Sequence, residues 1–313
     1  MNEEIIISGR MNPKVDPILA IWGWEIPLYL FLGGLAAGIL FFAALYTILG
    51  REKELPTAVR RATFLVPAIL VIGLFALFLD LKNKLYFWQL YTTIRLESPM
   101  SWGAWVLMLV TPLSIVWCVA YWRDLVPNWK FKVEWLEFIE KQVNKYRKPL
   151  AWVMIVSSVI LGIYTGILLS AFNARPLWNT SILGPLFLVS GLSTGAAVIM
   201  WMSKDHLERT LFSKIDLILI GIEIFFIIHL FMGFLASNAA QIEAAQLFLG
   251  GAYTLPFWGG VVVLGLLVPA ILEIMELRGK KIPVAFPAFL ILLGGMIFRF
   301  IMVDAGQLSK YLY

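Results

Sequence analysis

The chain has 313 residues, 60% of them apolar, a mean hydropathy of +0.84, and only 14% Asp, Glu, Lys and Arg. About 25% is usual for soluble domains, so too few charges are present to cover a soluble body of this size, and the chain reads as a polytopic membrane protein. The single cysteine, Cys118, excludes an internal disulfide framework, Cys-ligated zinc and an iron–sulfur cluster held by this chain alone; two histidines, His206 and His229, argue against a multi-haem cytochrome; and the net charge of +5 does not point to nucleic acid.

A hydrocarbon core takes about 20 apolar residues per helix. In chain order, eight such runs are read, at 26–49, 62–81, 102–122, 150–172, 182–202, 215–236, 255–277 and 284–303. Pro27, Pro149, Pro256 and Pro283 stand near helix starts, where proline is tolerated. The segment 1–25 begins with acidic residues where a signal peptide would be basic, and is expected to be an uncleaved extramembrane segment. Residues 26–122 with 150–172 form an expected first four-helix bundle, 182–303 a second, and 304–313 a tail.

The connector 123–149 carries Trp135, Phe138, Ile139 and Val143 near one helical face, with Lys132, Glu137, Lys141 and Lys145 mostly elsewhere. This pattern fits a helix lying in the membrane interface, its basic residues towards anionic headgroups. A solvated connector between two bundles fits equally well.

Lysine and arginine set the orientation. Of the 25, 17 fall in the connections after spans one, three, five and seven, 7 in the remaining extramembrane segments, and Arg299 lies inside span eight. The positive-inside rule makes the first set cytoplasmic and places both termini outside.

Span one contains Gly34-Leu-Ala-Ala-Gly38 and span five Gly191-Leu-Ser-Thr-Gly195, each after a Leu-Phe-Leu triplet. Four helices separate the copies, so both point the same way, as a parallel 4+4 duplication requires. Glycines at i and i+4 let a neighbouring backbone approach closely. By itself this pattern is architectural.

Ionisable groups inside spans cost several kcal/mol unless paired or hydrated, which makes each a functional candidate. Depths reckoned at about 1.5 Å per residue put Tyr164, His229 and Arg299 at similar levels. Asp304, Asp80, Glu25 and Tyr29 come slightly further out, so a polar layer is expected in the outer third of the membrane, where a lipid-soluble molecule with a polar head would be met. Nearer the inner side, Asp216 and Glu223 are seven apart on span six, hence on nearly the same face, and suit steps of a proton path rising to His229. Glu223 and His229, six apart, face differently and need water or another helix between them; Asp80 is a further step of the path, towards the outside. Glu273 and Glu276, near a span end, read more simply as groups reaching interface water.

Several segments resemble a known family. Tyr29-Leu-Phe-Leu-Gly-Gly-Leu-Ala-Ala-Gly38, Ser98-Pro-Met-Ser-Trp-Gly-Ala-Trp105, Tyr164-Thr-Gly166 and Pro185-Leu-Phe-Leu-Val-Ser-Gly-Leu-Ser-Thr-Gly195 are similar, in this order and from about Trp22 to Gln307, to the NrfD/PsrC family of polysulfide-reductase-like respiratory complexes. The resemblance implies an all-α integral membrane fold and a haem-free anchor in a prokaryotic cytoplasmic membrane, serving anaerobic respiration. Such an anchor binds a quinone, menaquinone or ubiquinone, near the extracytoplasmic face. It implies an iron–sulfur partner subunit passing electrons to or from a molybdopterin catalytic subunit, with this chain contributing only the quinone half-reaction. Carried over by position, Tyr164 is the foremost headgroup contact. Tyr29 takes a place where some members have histidine, and Glu25 one turn earlier shares the role or accepts the proton. His229, Arg299 and Asp304 complete the candidate cofactor layer. A secondary transporter with parallel repeats and a purely structural anchor remain the alternative readings.

Overall fold

The computed structural model describes residues 22–125 and 134–310, and among them every regular element is helical. Eight helices are long and apolar enough to cross a membrane: Glu25–Ile48, Thr57–Asp80, Pro99–Arg123, Arg147–Ser170, Leu183–Met202, His206–Leu235, Leu255–Leu277 and Ala285–Leu308, called spans one to eight below. Spans one and five are the most enclosed, and they pack against each other and against span four. Span two also flanks span one, span six flanks span five, and span eight touches both central helices.

Glycine determines the central contact. The two Gly-x-x-x-Gly stretches face one another: a Cβ on Gly191 would stand 2.7 Å from the Gly34 carbonyl oxygen, and one on Gly195 2.6 Å from the Gly38 carbonyl carbon. Only hydrogen fits at these positions, and the two backbones pack directly. A second seam joins span seven to span eight, where a Cβ on Gly265 would lie 2.7 Å from the Gly294 Cα.

Spans two, six and eight run well beyond the apolar windows, and their polar ends find partners within the protein. Span two starts at Thr57 with a wide turn, tightens over Ala62–Leu65, and becomes α-helical at Val66. The buried Glu208 of span six accepts from the Ala58 N–H at 2.8 Å and from the Ser203 hydroxyl at 2.7 Å. Trp117 donates its indole N–H to the Val59 carbonyl at 3.0 Å. Pro67 has no N–H to offer the carbonyl four residues back, and the Cys118 thiol meets that Thr63 oxygen at 3.4 Å. Span six begins at His206, nine residues before its apolar run, capped by the Asp205 side chain on the Leu207 N–H. Span eight continues to Leu308, so Asp304 belongs to the helix and not to a tail.

At the end away from most of the basic residues, the first and last described segments are tied together. Gln307 accepts from the Trp22 N–H at 2.8 Å and donates to its carbonyl at 3.0 Å. Arg175 donates to the carbonyls of Gln307 and Ser309, each at 2.9 Å. At the basic end, Arg123 pairs with Glu140 at 2.9 Å and holds the connector helix Glu134–Lys145. Val143 is buried there, while Trp135 and Phe138 are about 60% exposed. These residues lie on one broad face of the helix, of which the Val143 end packs inward and the Trp135 and Phe138 end is uncovered. Lys132 lies outside the described residues.

Candidate functional site

The polar layer expected from depth divides into two separate regions. One is an aromatic pocket between spans one to four. Tyr29 and Tyr164, both buried, bring their phenols side by side. They line a small cavity with Trp22, Tyr91, Met100 and Leu168. The sequence places Tyr164 through its neighbours. Gly166 packs on the span-five backbone, where a Cβ would stand 2.6 Å from the Gly184 nitrogen. Thr165 folds its hydroxyl onto the Gly162 carbonyl at 2.7 Å and turns its methyl towards Gly33. On span three, Gly103 leaves the space that the Tyr164 ring and hydroxyl occupy. The segments 29–38, 98–105 and 164–166 thus meet around one phenol.

Larger spaces adjoin this cavity, which at about 30 Å³ holds little more than a water molecule. An apolar groove of about 400 Å³ on spans three and four reaches Tyr164, lined by Glu97, Pro99, Trp102, Ile160, Ile163 and Ile167. Its size falls in the ligand range of about 300–1,000 Å³. Beneath the loop after span two, a space of about 550 Å³ shares Leu90 and Met100 with the central cavity and is bordered by Arg95. Glu25 and Asp80 stand near each other at the rim, both half-buried. Burial raises the Tyr91 phenol above its ordinary 10.0, so it remains a neutral hydrogen-bond donor at neutral pH.

The second region lies among spans five to eight and is closed. Arg299 is 1% exposed; it donates to the Ser190 hydroxyl at 2.6 Å and to the Phe187 carbonyl at 3.0 Å, and its guanidinium lies 4.5 Å over the Phe187 ring. Glu223 interacts with both Arg299 and Ser190. Further along span six, the fully buried Asp216 faces Ser193 and Glu273. Span seven brings Glu273 inward. It takes wide π turns over Leu255–Leu267 and becomes α-helical at Val268, one residue before Pro269 and five before Glu273.

Among the sequence candidates, Tyr29 and Tyr164 are brought together with Glu25 and Asp80 nearby, and Arg299, Glu223 and Asp216 are joined in the second region. His229 lies elsewhere, exposed and stacked on Phe225 at 6.0 Å. Asp304 is also exposed, near Tyr253. The helical angles from Glu223 to His229 and from Arg299 to Asp304 agree with these opposite placements. Sequence reasoning missed Tyr91, Gly103, Ser190, Ser193 and the burial of Glu273. For Gly103 a signal existed in its place within the 98–105 segment; depth alone misplaced Glu273.

These features define a helical, multi-pass membrane protein with one lipid-side groove and one sealed polar trail. Residues 12–309 match the family described as polysulphide reductase, NrfD. The chain is 31% identical to protein NrfD of Escherichia coli (strain K12) over 306 residues, which covers 92% of this chain and 96% of the relative. It is 30% identical to the C component of polysulfide reductase from Wolinella succinogenes over 302 residues, covering 92% and 94%. It is 26% identical to the protein NrfD homolog of Haemophilus influenzae over 309 residues, covering 92% and 95%. The chain belongs to the NrfD family.

Proposed function

We propose that this chain is the quinone-binding membrane subunit of a respiratory reductase complex in a prokaryotic cytoplasmic membrane. The observation that carries this reading is the apolar groove ending on the Tyr164 phenol: an isoprenoid tail suits the isoleucine and tryptophan walls, and a quinone carbonyl or quinol hydroxyl suits Tyr164. Tyr29 lies behind Tyr164 and orients its hydroxyl. Tyr91 closes the small cavity, which widens when a headgroup occupies it.

Quinol oxidation releases two electrons and two protons. Glu25 and Asp80 are the acceptors nearest the pocket, and they deliver protons to the extracytoplasmic side. The electrons leave to an iron–sulfur partner subunit seated on the loop after span two, whose Leu85, Tyr86, Trp88, Ile94 and Leu96 are exposed. That partner connects to a molybdopterin catalytic subunit, in keeping with a relative named as one component of a polysulfide reductase. For quinone reduction, protons rise from the basic, cytoplasmic side through Asp216 and Glu223. The two glycine-matched halves are a parallel 4+4 repeat, and the helix Glu134–Lys145 lies in the interface with Trp135 and Phe138 in the headgroup layer.

The test is titration of the isolated complex with a fluorescent quinol-site inhibitor. Saturable quenching, displaced by menaquinone and weakened in Tyr164→Phe, is the expected result. Binding indifferent to Tyr164 moves the site, and absence of binding with partner subunits attached leaves a structural anchor.

A further inference from the structure

The sealed region contains a chemical imbalance that a proton route through Asp216 and Glu223 leaves unexplained. Asp216 and Glu273 are both 0% exposed and face each other, and none of their four carboxyl oxygens accepts an aligned hydrogen bond. The Ser193 hydroxyl, 1% exposed, stands beside Asp216 and likewise forms no aligned hydrogen bond. These three side chains come from three different helices, spans five, six and seven. The charges around them do not compensate: Glu223 acts on Asp216 and Glu276 acts on Glu273, both with the same sign. The cation reaching this region, Arg299, is engaged by Ser190, the Phe187 carbonyl and Glu223.

Two bare carboxylates in apolar surroundings, without N–H donors, carry a desolvation cost of several kcal/mol each. Like charges at such range do not both persist. The arrangement is relieved by a positive charge placed between them. We propose that Asp216, Glu273 and Ser193 form a binding site for one exchangeable monovalent cation, H⁺ or Na⁺, at the basic-end mouth of the trail that continues to Glu223, Ser190 and Arg299.

The donor set fixes the class. Carboxylate and hydroxyl oxygens are hard donors that suit a proton or an alkali ion and disfavour soft metals. Three side chains offer five oxygens at most, short of the 6–8 that Ca²⁺ takes, and Mg²⁺ retains several waters of its own. Ser193 gives the site a neutral ligand that accepts towards Na⁺ or donates to whichever carboxylate is left bare. Glu223, seven residues along the same helix and paired with Arg299, is the next acceptor when the cation leaves.

The proposal rests on the ion path and not on the quinol pocket, so it can fail while inhibitor binding at Tyr164 stands, and the reverse. Its test is labelling of the purified complex with dicyclohexylcarbodiimide, a neutral apolar reagent. The carboxyl O–H adds across one C=N bond, and the product rearranges to a stable N-acylurea with no change of oxidation state. Peptide mass spectrometry should find the adduct on Glu273 or Asp216. A proton site loses labelling by about tenfold per unit of pH above its titration point and ignores Na⁺ in a choline background. A Na⁺ site is protected by Na⁺ but not by choline, and thermal stability rises with Na⁺. Ser193→Ala keeps both carboxyl groups and should shift the midpoint of either response, whereas Glu276→Gln should retain the response. The proposal is overturned if neither carboxyl is labelled at any pH and thermal stability is indifferent to Na⁺ and to removal of either carboxyl by Asp216→Asn or Glu273→Gln.

Discussion

The two polar regions of this protein are built on opposite principles. Between spans one to four, the polar atoms at the centre are phenols, with Glu25 and Asp80 at the rim, and a groove of about 400 Å³ reaches Tyr164. Among spans five to eight they are three carboxyl groups, a guanidinium and two hydroxyls, all buried. A neutral ligand that partitions from lipid needs an apolar approach and a hydrogen bond at its end, and charge there would only raise the cost of desolvation. An ion needs the converse, groups that stabilise charge, isolated from lipid and arranged so that each relieves the next. Helices of one kind thus enclose a groove suited to a lipid-soluble ligand in one region and a trail of buried charge suited to an ion in the other.

The largest effect tests whether the trail is a unit. Arg299→Leu leaves Glu223 buried beside Ser190 without its cation and should cost about 3–5 kcal/mol of stability. Removing both charges, with Arg299→Leu and Glu223→Leu together, should recover most of that loss in detergent melting curves. If the single and double variants melt alike, the two groups do not form a pair.

A smaller loss comes from the glycine seam between spans one and five. Gly38→Ala drives a methyl against the Gly191 carbonyl and should cost about 1–3 kcal/mol, with both sites weakened together. A loss confined to one half would mean the seam is not shared. Gly103→Ala pushes on the Tyr164 ring and should lower quinol-site inhibitor affinity by about tenfold, or about 1.4 kcal/mol, while Na⁺ and pH responses of the trail are retained. Glu223→Gln gives the opposite separation: inhibitor binding is spared and inward proton uptake in proteoliposomes is lost. Unchanged coupling in that variant removes Glu223 from the mechanism.

The smallest effect concerns the connector helix. Cys118 is buried, so a dye placed by Phe138→Cys labels selectively. In bilayers it should be quenched by brominated lipids and remain folded at wild-type stability. Accessibility to aqueous quencher alone would return this helix to the solvated reading.

Much of the architecture was legible before any contact was known. Eight apolar runs of membrane length have few alternatives in a hydrocarbon solvent, because every backbone group must be satisfied within a helix. The Gly34/Gly38 and Gly191/Gly195 stretches also announced close packing, and the structure sets them against each other. Helix ends were less legible. The first turn of span two is stabilised by Glu208 and Trp117, 150 and 58 residues distant from their partners there. Hydropathy reads only neighbours along the chain, so it could not extend span two back to Thr57 or span six back to His206.

Site residues divide in the same way. Tyr164 and Tyr29 could be singled out from their motifs, and the spacing on span six correctly separated Glu223 from His229. Depth reckoned from sequence put Arg299, His229 and Asp304 in one layer, yet depth says nothing about the direction a side chain faces. Arg299 turns into the bundle and the other two turn outward. Glu273 seemed an interface residue because it lies near a span end, whereas the neighbouring helices enclose it beside Asp216. Composition and periodicity thus determined the number of spans, the membrane as solvent and the chemistry available in each helix, because these depend on local free energies of transfer. Which polar groups share a site was decided only by tertiary packing, because hydrogen bonds and Coulomb interactions depend on distances between helices that no local pattern encodes.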